Sequence, residues 1–287
     1  MKKFKYLICS FKTKLKILKD KNFLFGFLFL IILMFLILFR SGLFPNPYDS
    51  SSSTRLQKIS FKHWMGTDGT GYDLFARVLE GAKISLSISF IIVMISSLIG
   101  AFLGIIAGYF QGFLDNIIIF VCDFLTIIPD IILAIFIMLF LENFNNKIFT
   151  LIIVLVISYI PSYIRVIRAN TLTIKQKDFV KASKALGSSE IRIIKKHILP
   201  NICANLITKM ILNMSSVILA ISGLSFIGLG LNRDKAEWGN ILFASKEYIM
   251  DNPNLFYGPF IIIFLTVFSF DLIGKSLIHY LDNNKYN

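Results

Sequence analysis

The sequence has few of the residues that build metal centres and disulfide frameworks. Its 287 residues include three cysteines and three histidines. They stand at Cys9, Cys122 and Cys203 and at His63, His197 and His279. None of these positions has the short ligand spacing that zinc sites use. We therefore expect no resident metal, and we interpret the cysteines as small apolar residues.

A convergent catalytic set is also lacking. The sequence pattern brings together neither a Ser, His and Asp set nor a Cys and His pair. The stretch SFDLIGKSL resembles a nucleotide-binding loop, but Ser269 stands in place of its first glycine and no strand precedes it. We therefore expect no catalytic residue and no bound cofactor in this chain.

Acidic residues are scarce relative to basic ones. There are 17 Asp and Glu against 30 Lys and Arg, which gives a formal net charge of +13. The basic residues lie in blocks between apolar runs, and 55% of all residues are hydrophobic. This arrangement is typical of a membrane protein that follows the positive-inside rule, rather than of a nucleic-acid-binding protein.

Six apolar runs have the length of a membrane-spanning helix. They cover residues 22–39, about 84–110, 114–141, 148–165, 203–230 and 257–279. The first run is longer than the apolar core of a signal peptide and lacks a small-residue cleavage site after it. The sequence therefore predicts an all-α, polytopic membrane protein with about six transmembrane helices.

The basic blocks predict the orientation of these helices. Residues 1–21 contain eight lysines, and residues 165–197 contain nine Lys and Arg. Four spans separate the two blocks, so both can lie in the cytoplasm. Both termini are then cytoplasmic, and the segments 41–83, 142–147 and 231–256 are external. We divide the chain into residues 1–83, a basic tail, first helix and external loop, and residues 84–287, the transmembrane core.

Two features within the predicted spans are candidates for packing or transport. Gly100, Gly104 and Gly108 form one stripe along a helix, which favours close helix packing or, alternatively, a gating hinge. Asp115 can lie at the cytoplasmic interface, whereas Asp123 and Asp130, seven residues apart, would face nearly the same side of the third span. The latter two are candidates for the translocation path. A structural role beside Pro129 or a contact with a partner subunit is the alternative.

The basic segment between the fourth and fifth spans reads as two short helices joined at Gly187. One face of the first helix carries Phe179, Ala182, Ala185 and Leu186, and the second carries Ile191, Ile194 and Ile198. Gly187 is typical of a helix C-terminus, and Pro200 marks the beginning of the fifth span. From composition alone, an interfacial helix on anionic lipid remains open.

This segment, FVKASKALGSSEIRIIKKHILPN, resembles the cytoplasmic EAA loop of permeases from ATP-binding-cassette (ABC) importers. The triplet is Lys181, Ala182 and Ser183, where the family has an acidic residue and two alanines. Gly187 and the ending from His197 to Asn201, with Pro200, match the family pattern. The resemblance implies that the loop 166–202, including Ile191, couples the chain to a cytoplasmic ATPase.

A second stretch, HWMGTDGTGYDLFARVLEGAKISLSIS, resembles the Gly-Thr-Asp motif of the dipeptide, oligopeptide and nickel permease subfamily. The matching residues are Gly66, Thr67, Asp68, Gly71, Asp73, Arg77, Gly81 and Ser85. Tyr72 and Lys83 replace two arginines of that pattern. The stretches GYFQGFLDN, GLSFIGLGL and EWGNIL resemble further parts of the same subfamily, in its C-type subunit.

The resemblance implies a type I ABC-importer permease fold in the inner membrane of a bacterium. It also implies a second homologous permease subunit in a heterodimer, two cytoplasmic ATPase subunits that bind the ATP, and an external substrate-binding protein. Short peptides are the expected substrate, with nickel or another metal chelate as the alternative. An ion-coupled carrier that uses Asp123 and Asp130, and a membrane-embedded enzyme, are rival classes.

Overall fold

The computed structural model describes residues 20–50, 52–140 and 146–283. Within these ranges the only extended pairing is an isolated bridge between Thr67 and Asp73, so the all-α expectation is confirmed. The α-helices of the described ranges are α1 Lys21–Leu43, α2 Leu74–Phe110, α3 Phe113–Ile127, α4 Asp130–Phe140, α5 Lys147–Lys175, α6 Asp178–Ala185, α7 Glu190–Ile193, α8 Leu199–Phe226, α9 Trp238–Ser245 and α10 Asn254–Asn283. Two 3₁₀ turns, Ser52–Thr54 and Lys246–Tyr248, and a π-helical turn, Ile194–Ile198, complete the helical elements.

Five helices of the described chain are long and apolar enough to cross a membrane. They are Lys21–Leu43, Leu74–Phe110, Lys147–Lys175, the continuous helix Glu190–Phe226, and Asn254–Leu281. The bent pair α3 and α4 brings the number to six if it crosses as one span. Several helices continue past the apolar runs, because helix formation depends on backbone hydrogen bonding and not on contact with hydrocarbon. Thus α2 begins at Leu74 rather than near 84, and α5 ends at Lys175 rather than at 165.

The third span predicted over residues 114–141 consists of two helices in the structure. The chain bends by 96° between Phe113–Ile127 and Ile131–Phe140. Pro129 accounts for the break, because proline lacks an N–H group and disfavours helical geometry in the residue before it. Ile128 accordingly adopts the extended angles φ −88° and ψ 127°.

The described chain divides into two compact units, and the division falls within α2 and α8. The first unit comprises the chain up to Ser89 and from Met214 onward. Its core surrounds Trp238, whose ring nitrogen Nε1 donates to the carbonyl of Val78 at 3.0 Å. α1 packs against α10 so closely that a Cβ on Gly26 would lie 2.7 Å from the carbonyl oxygen of Ser269. The opposite face of α1 exposes many Leu and Phe side chains, as expected for a surface in contact with lipid.

The second unit is Phe90–Asn213 and contains both the predicted coupling loop and the candidate path residues. A cluster of buried isoleucines joins the C-terminal part of α5 to the beginning of the Glu190–Phe226 helix. This cluster contains Ile167, Ile174, Ile193, Ile198 and Ile202. The short helices between α5 and α8 are therefore packed onto the ends of two membrane spans.

Candidate functional site

The predicted bend at Gly187 is a helix terminus that only glycine adopts without strain. Gly187 has φ +77°, and its N–H donates to the carbonyl of Lys184 at 3.0 Å. The following N–H, of Ser188, donates to the carbonyl of Ser183 at 3.1 Å. No atom lies within 4 Å of a Cβ built on Gly187, so the left-handed backbone conformation, and not space, selects glycine.

One side of α6 packs against the buried isoleucine cluster and so attaches the helix to the spans. Val180 is buried in the same cluster as Ile193 and Ile198, together with Ile167 and Ile174 of α5. Because buried apolar side chains interlock at near-crystalline density, this contact transmits displacement rather than absorbing it. A force applied to α6 would therefore reach both α5 and the Glu190–Phe226 helix.

The opposite side of α6 is apolar and open. Phe179 is 43% exposed, Leu186 is 86% exposed and Ile191 is 67% exposed, and Ala182 is exposed beside them. The apolar face predicted from Phe179, Ala182, Ala185 and Leu186 is thus exposed rather than buried in the core of the second unit. An exposed apolar patch that is held on a rigid helix is typical of a protein interface.

Basic side chains surround this apolar patch. Six exposed cations accompany two exposed acids, Asp178 and Glu190. The cations are Lys177, Lys181, Lys184, Arg192, Lys195 and Lys196. Lys181 reaches Asp178 only at 3.8 Å, and both side chains are largely exposed, so this pair neutralises little of the surface charge. We call the exposed residues Phe179, Ala182, Leu186 and Ile191 with these cations the coupling surface.

His197 and Pro200 lie in the irregular part of the Glu190–Phe226 helix. The N–H of Leu199 donates to the carbonyl of Ile194 across the π-helical turn. Proline at position 200 cannot donate to residue 196 and would clash with its carbonyl in a regular α-helix, which explains the wider turn. The centroid of the His197 ring lies 5.8 Å from that of the Phe179 ring, so His197 packs beside a residue of the coupling surface.

The glycine stripe on α2 faces α5. A Cβ on Gly100 would lie 2.4 Å from Cβ of Tyr163, and one on Gly104 would lie 2.9 Å from the carbonyl oxygen of Ile164. The same construction on Gly108 meets the carbonyl oxygen of Arg168 at 2.8 Å. The two backbones approach closely along three turns, and α2 continues unbroken through all three glycines.

Asp115 forms a bidentate ion pair that sequence reasoning did not find. Its two carboxylate oxygens accept from Nε and Nη2 of Arg168 at 2.6 Å and 2.7 Å. Asp115 is buried, so this pair fastens the beginning of α3 to α5. The signal that could have predicted the contact is an acid at the beginning of the third predicted span, Asp115, and an arginine just after the fourth, Arg168, on the same predicted side of the membrane.

Asp123 also pairs with an arginine, but on an open surface. Nη2 of Arg165 donates to Oδ1 of Asp123 at 2.9 Å and to Oγ1 of Thr126 at 2.6 Å. The side chain of Asp123 is 60% exposed and that of Arg165 is 48% exposed. The bend at Pro129 places Asp123 in α3 and Asp130 at the beginning of α4, so the two residues do not belong to one continuous helix. The side chain of Asp130 lies outside the described part of the structure.

On the predicted external side, the Gly-Thr-Asp motif folds into a loop that begins α2. Oδ1 of Asp73 accepts from the N–H of Ala76 at 2.7 Å as a helix cap, and Oδ2 of Asp73 contacts Nδ1 of His63 at 2.7 Å. Oδ1 of Asp68 accepts from the N–H groups of Thr70 and Tyr72 at 2.9 Å and 3.0 Å. These bonds explain why the motif requires carboxylates at both positions.

A buried carboxylic acid holds the segment before α9. Glu237 is fully buried, and its carboxyl oxygens accept from Ser85 Oγ at 3.1 Å and from the N–H of Asn240 at 3.2 Å. Burial raises the pKa of Glu237, and hydrogen bonds from Gly239, Ser225, Asn240 and Ser85 oppose that shift. The sequence pattern EWGNIL alone did not indicate this role for Glu237.

These features define an all-α, multi-span membrane protein with a short, exposed helix packed onto two of its spans. The chain belongs to the family described as "binding-protein-dependent transport system inner membrane component", which matches residues 100–285. As a permease of this class, it acts with ATPase and substrate-binding partners.

Two groups of relatives illustrate the membership. The dipeptide transport system permease protein DppC of Alkalihalophilus pseudofirmus is 33% identical over 265 residues, which are 92% of this chain and 86% of that protein. The glutathione transport system permease protein GsiD of Escherichia coli O1:K1 is 34% identical over 259 residues, which are 89% of this chain and 84% of that protein. GsiD of Shigella flexneri serotype 5b is 35% identical over the same shares.

Proposed function

We propose that this chain imports short peptides across the cytoplasmic membrane of a bacterium, as one of two homologous permease subunits in a heterodimer. Two cytoplasmic ATPases bind ATP and drive the import, and an external binding protein delivers the peptide. Dipeptide and glutathione permeases among the relatives support a peptide substrate. The chain itself holds no cofactor in this proposal, and both of its termini are cytoplasmic.

The observation that carries the proposal is the attachment of the coupling surface to two spans. Leu186 and Ile191 are exposed for an ATPase to cover, while Val180 is buried against Ile174 and Ile193. When ATP binding brings the ATPases together, the motion of α6 shifts α5 and the Glu190–Phe226 helix. The spans then alternate between two arrangements that open to opposite sides.

The charge of the coupling surface specifies its partner further. Lys181 stands where the family pattern has an acidic residue, and the described cations around it outnumber the acids. An ATPase with a basic docking cleft would be repelled. The ATPase that serves this chain therefore presents acidic side chains opposite Lys181.

The rival classes receive less support from the site. The ion-coupled carrier depends on Asp123 and Asp130, but Asp123 accepts a hydrogen bond from Arg165 and lies on an open surface. A nickel or metal-chelate cargo remains the alternative within the family. The described residues contain no group of three His, Cys, Asp or Glu side chains that could hold a metal ion.

Reconstitution tests the proposal. The chain is purified with its partner permease and ATPases, incorporated into liposomes, and supplied with the binding protein and a radiolabelled dipeptide. We expect uptake that requires ATP and the binding protein, and that unlabelled dipeptide reduces while nickel does not. Uptake that proceeds without ATP and follows a proton gradient would support a carrier instead, and competition by nickel alone would identify a metal importer.

A further inference from the structure

The exposed face of α5 differs from a surface that contacts lipid. Beyond Phe149 at its beginning, none of the large apolar side chains of α5 is exposed. Its exposed positions along the following turns are Arg165, Ala169 and Thr173, and Ser162, about one turn before Arg165, is partly exposed. On a helix with 3.6 residues per turn these positions share one side. Arg165 closes the fourth predicted span, and a charged side chain at that depth faces water or protein rather than lipid, so this side of α5 faces an aqueous path or another polar surface.

Two other helices flank this polar side within the second unit. α3 lies on one flank, where Asp123 and Thr126 accept hydrogen bonds from Arg165. α8 lies on the other flank, where Nδ2 of Asn205 donates to Oδ1 of Asn170 at 2.9 Å. Arg165 and Asn170 are five residues apart, which places them about 140° apart around α5. The exposed side of α5 therefore forms the floor of a groove between α3 and α8.

The wall of the groove formed by α8 carries a polar stripe. Asn201, Asn205, Lys209 and Asn213 recur every four residues. Each step turns the direction of the side chain by only about 40°, so Lys209 faces nearly the same way as Asn205. Ile202 lies on this side as well and is buried against Ile167 and Ile174 of α5. Lys209 therefore points toward α5.

Lys209 is a membrane-embedded cation without a partner. It lies ten residues into α8 and is partly buried, and among the described residues it has neither an ion pair nor a hydrogen bond. Asn170 of α5 contacts Asn205 of α8, and the two helices run antiparallel. Lys209 lies four residues beyond Asn205, and Arg165 lies five residues before Asn170. At 1.5 Å per residue, the two cations are therefore about 6 Å and about 8 Å from this contact, in the same direction. The two cations are thus at a similar depth. Asp123 compensates Arg165, which leaves Lys209 as the surplus positive charge.

We propose that the groove between α3, α5 and α8 is a peptide-binding section of the translocation path, in which Lys209 binds a carboxylate of the passing peptide. The ligand class is a short peptide with a free carboxylate, and an anionic peptide is favoured over a cationic one. The polar floor at Ser162 and Thr173 supplies hydrogen-bonding groups for the peptide backbone. This inference rests on the proposed function. It assigns a residue that contacts the substrate, whereas the coupling surface contacts the ATPase.

The test compares Lys209→Met, which keeps the length of the side chain and removes its charge, with Lys209→Arg. Lys275→Met is the matched control, because Lys275 also lies in a membrane-spanning helix but pairs with Asp271 at 2.6 Å. Uptake of Ala-Glu and of Ala-Lys is measured in proteoliposomes that contain the complete transporter and saturating binding protein. We expect Lys209→Met to lower the ratio of Ala-Glu to Ala-Lys uptake by about ten-fold, the effect of one charge-assisted hydrogen bond. Lys209→Arg and Lys275→Met should keep the wild-type ratio.

Three results would overturn the inference. An unchanged ratio in Lys209→Met, with normal uptake, would show that Lys209 does not contact the peptide. Loss of co-purification with the second permease in Lys209→Met, restored by Lys209→Arg, would show that a carboxylate of that subunit is the partner. If the wild-type transporter itself takes up no dipeptide with ATP, the proposed function fails and this inference fails with it.

Discussion

Replacement of Gly187 separates the geometry of the coupling loop from the stability of the spans. A side chain at this position meets no atom within 4 Å, so its cost comes from the φ of +77° alone. A left-handed backbone costs an L-residue about 1–2 kcal/mol, which changes the population of the native bend by a factor of roughly 5 to 30. Gly187→Val should therefore displace the coupling surface, whereas Gly187→Asn, which tolerates this conformation better, should have a smaller effect.

The assay measures two quantities in parallel. Co-purification of the ATPase reports docking, and peptide uptake per ATP hydrolysed reports coupling. Gly42→Val is the matched control, since Gly42 also has no atom within 4 Å of its Cβ but has no left-handed backbone. We expect loss of docking or of coupling in Gly187→Val, with normal insertion into the membrane. Wild-type docking and coupling in Gly187→Val would refute the assignment of this bend to force transfer.

The other predictions concern carboxylates. Asp115→Asn should lower the thermal stability of the purified complex, because it leaves Arg168 without its bidentate partner at a cost of roughly 2–3 kcal/mol, whereas Asp123→Asn should reduce uptake more than stability. Equal melting temperatures and equal uptake for the two variants would contradict this difference. Glu237 has a raised pKa in the folded chain, so the native state binds its proton more tightly than the unfolded state does. The contribution of Glu237 to the stability of the folded chain is therefore full below pH 4.5 and is lost as the pH rises through the folded pKa. Glu237→Gln should remove this part of the pH dependence in a thermal-shift titration. An identical pH profile in Glu237→Gln would show that another group is responsible.

The sequence predicted the elements whose signals are local. Apolar run length located the spans, and the helix-glycine-helix pattern around Gly187 gave α6 and its bend. The break of the third span was missed, because Pro129 lies inside an apolar run and proline within a membrane helix produces either a kink or a full break. The structure shows a full break, because Ile128 adopts extended backbone angles instead of helical ones.

The pairing of charges could not be read from spacing. Arg165 was counted with the cytoplasmic basic block, although in the structure it turns back to Asp123, 42 residues earlier in the chain. Glu237 and Ser85 meet across 152 residues of sequence. Contacts of this kind depend on which helices are neighbours, and helical periodicity within one segment carries no information about that.

The proposed function requires that α6 lies in the cytoplasm and binds an ATPase with its exposed face. The most direct measurement is Leu186→Cys in a chain whose native cysteines are replaced by alanine, treated with a membrane-impermeant maleimide in intact cells and in inside-out vesicles. Leu186 is 86% exposed, so its replacement reacts wherever the reagent has access. We predict labelling only in inside-out vesicles, and protection when the ATPase is added. Labelling in intact cells, or labelling in vesicles that the ATPase does not reduce, would contradict the account.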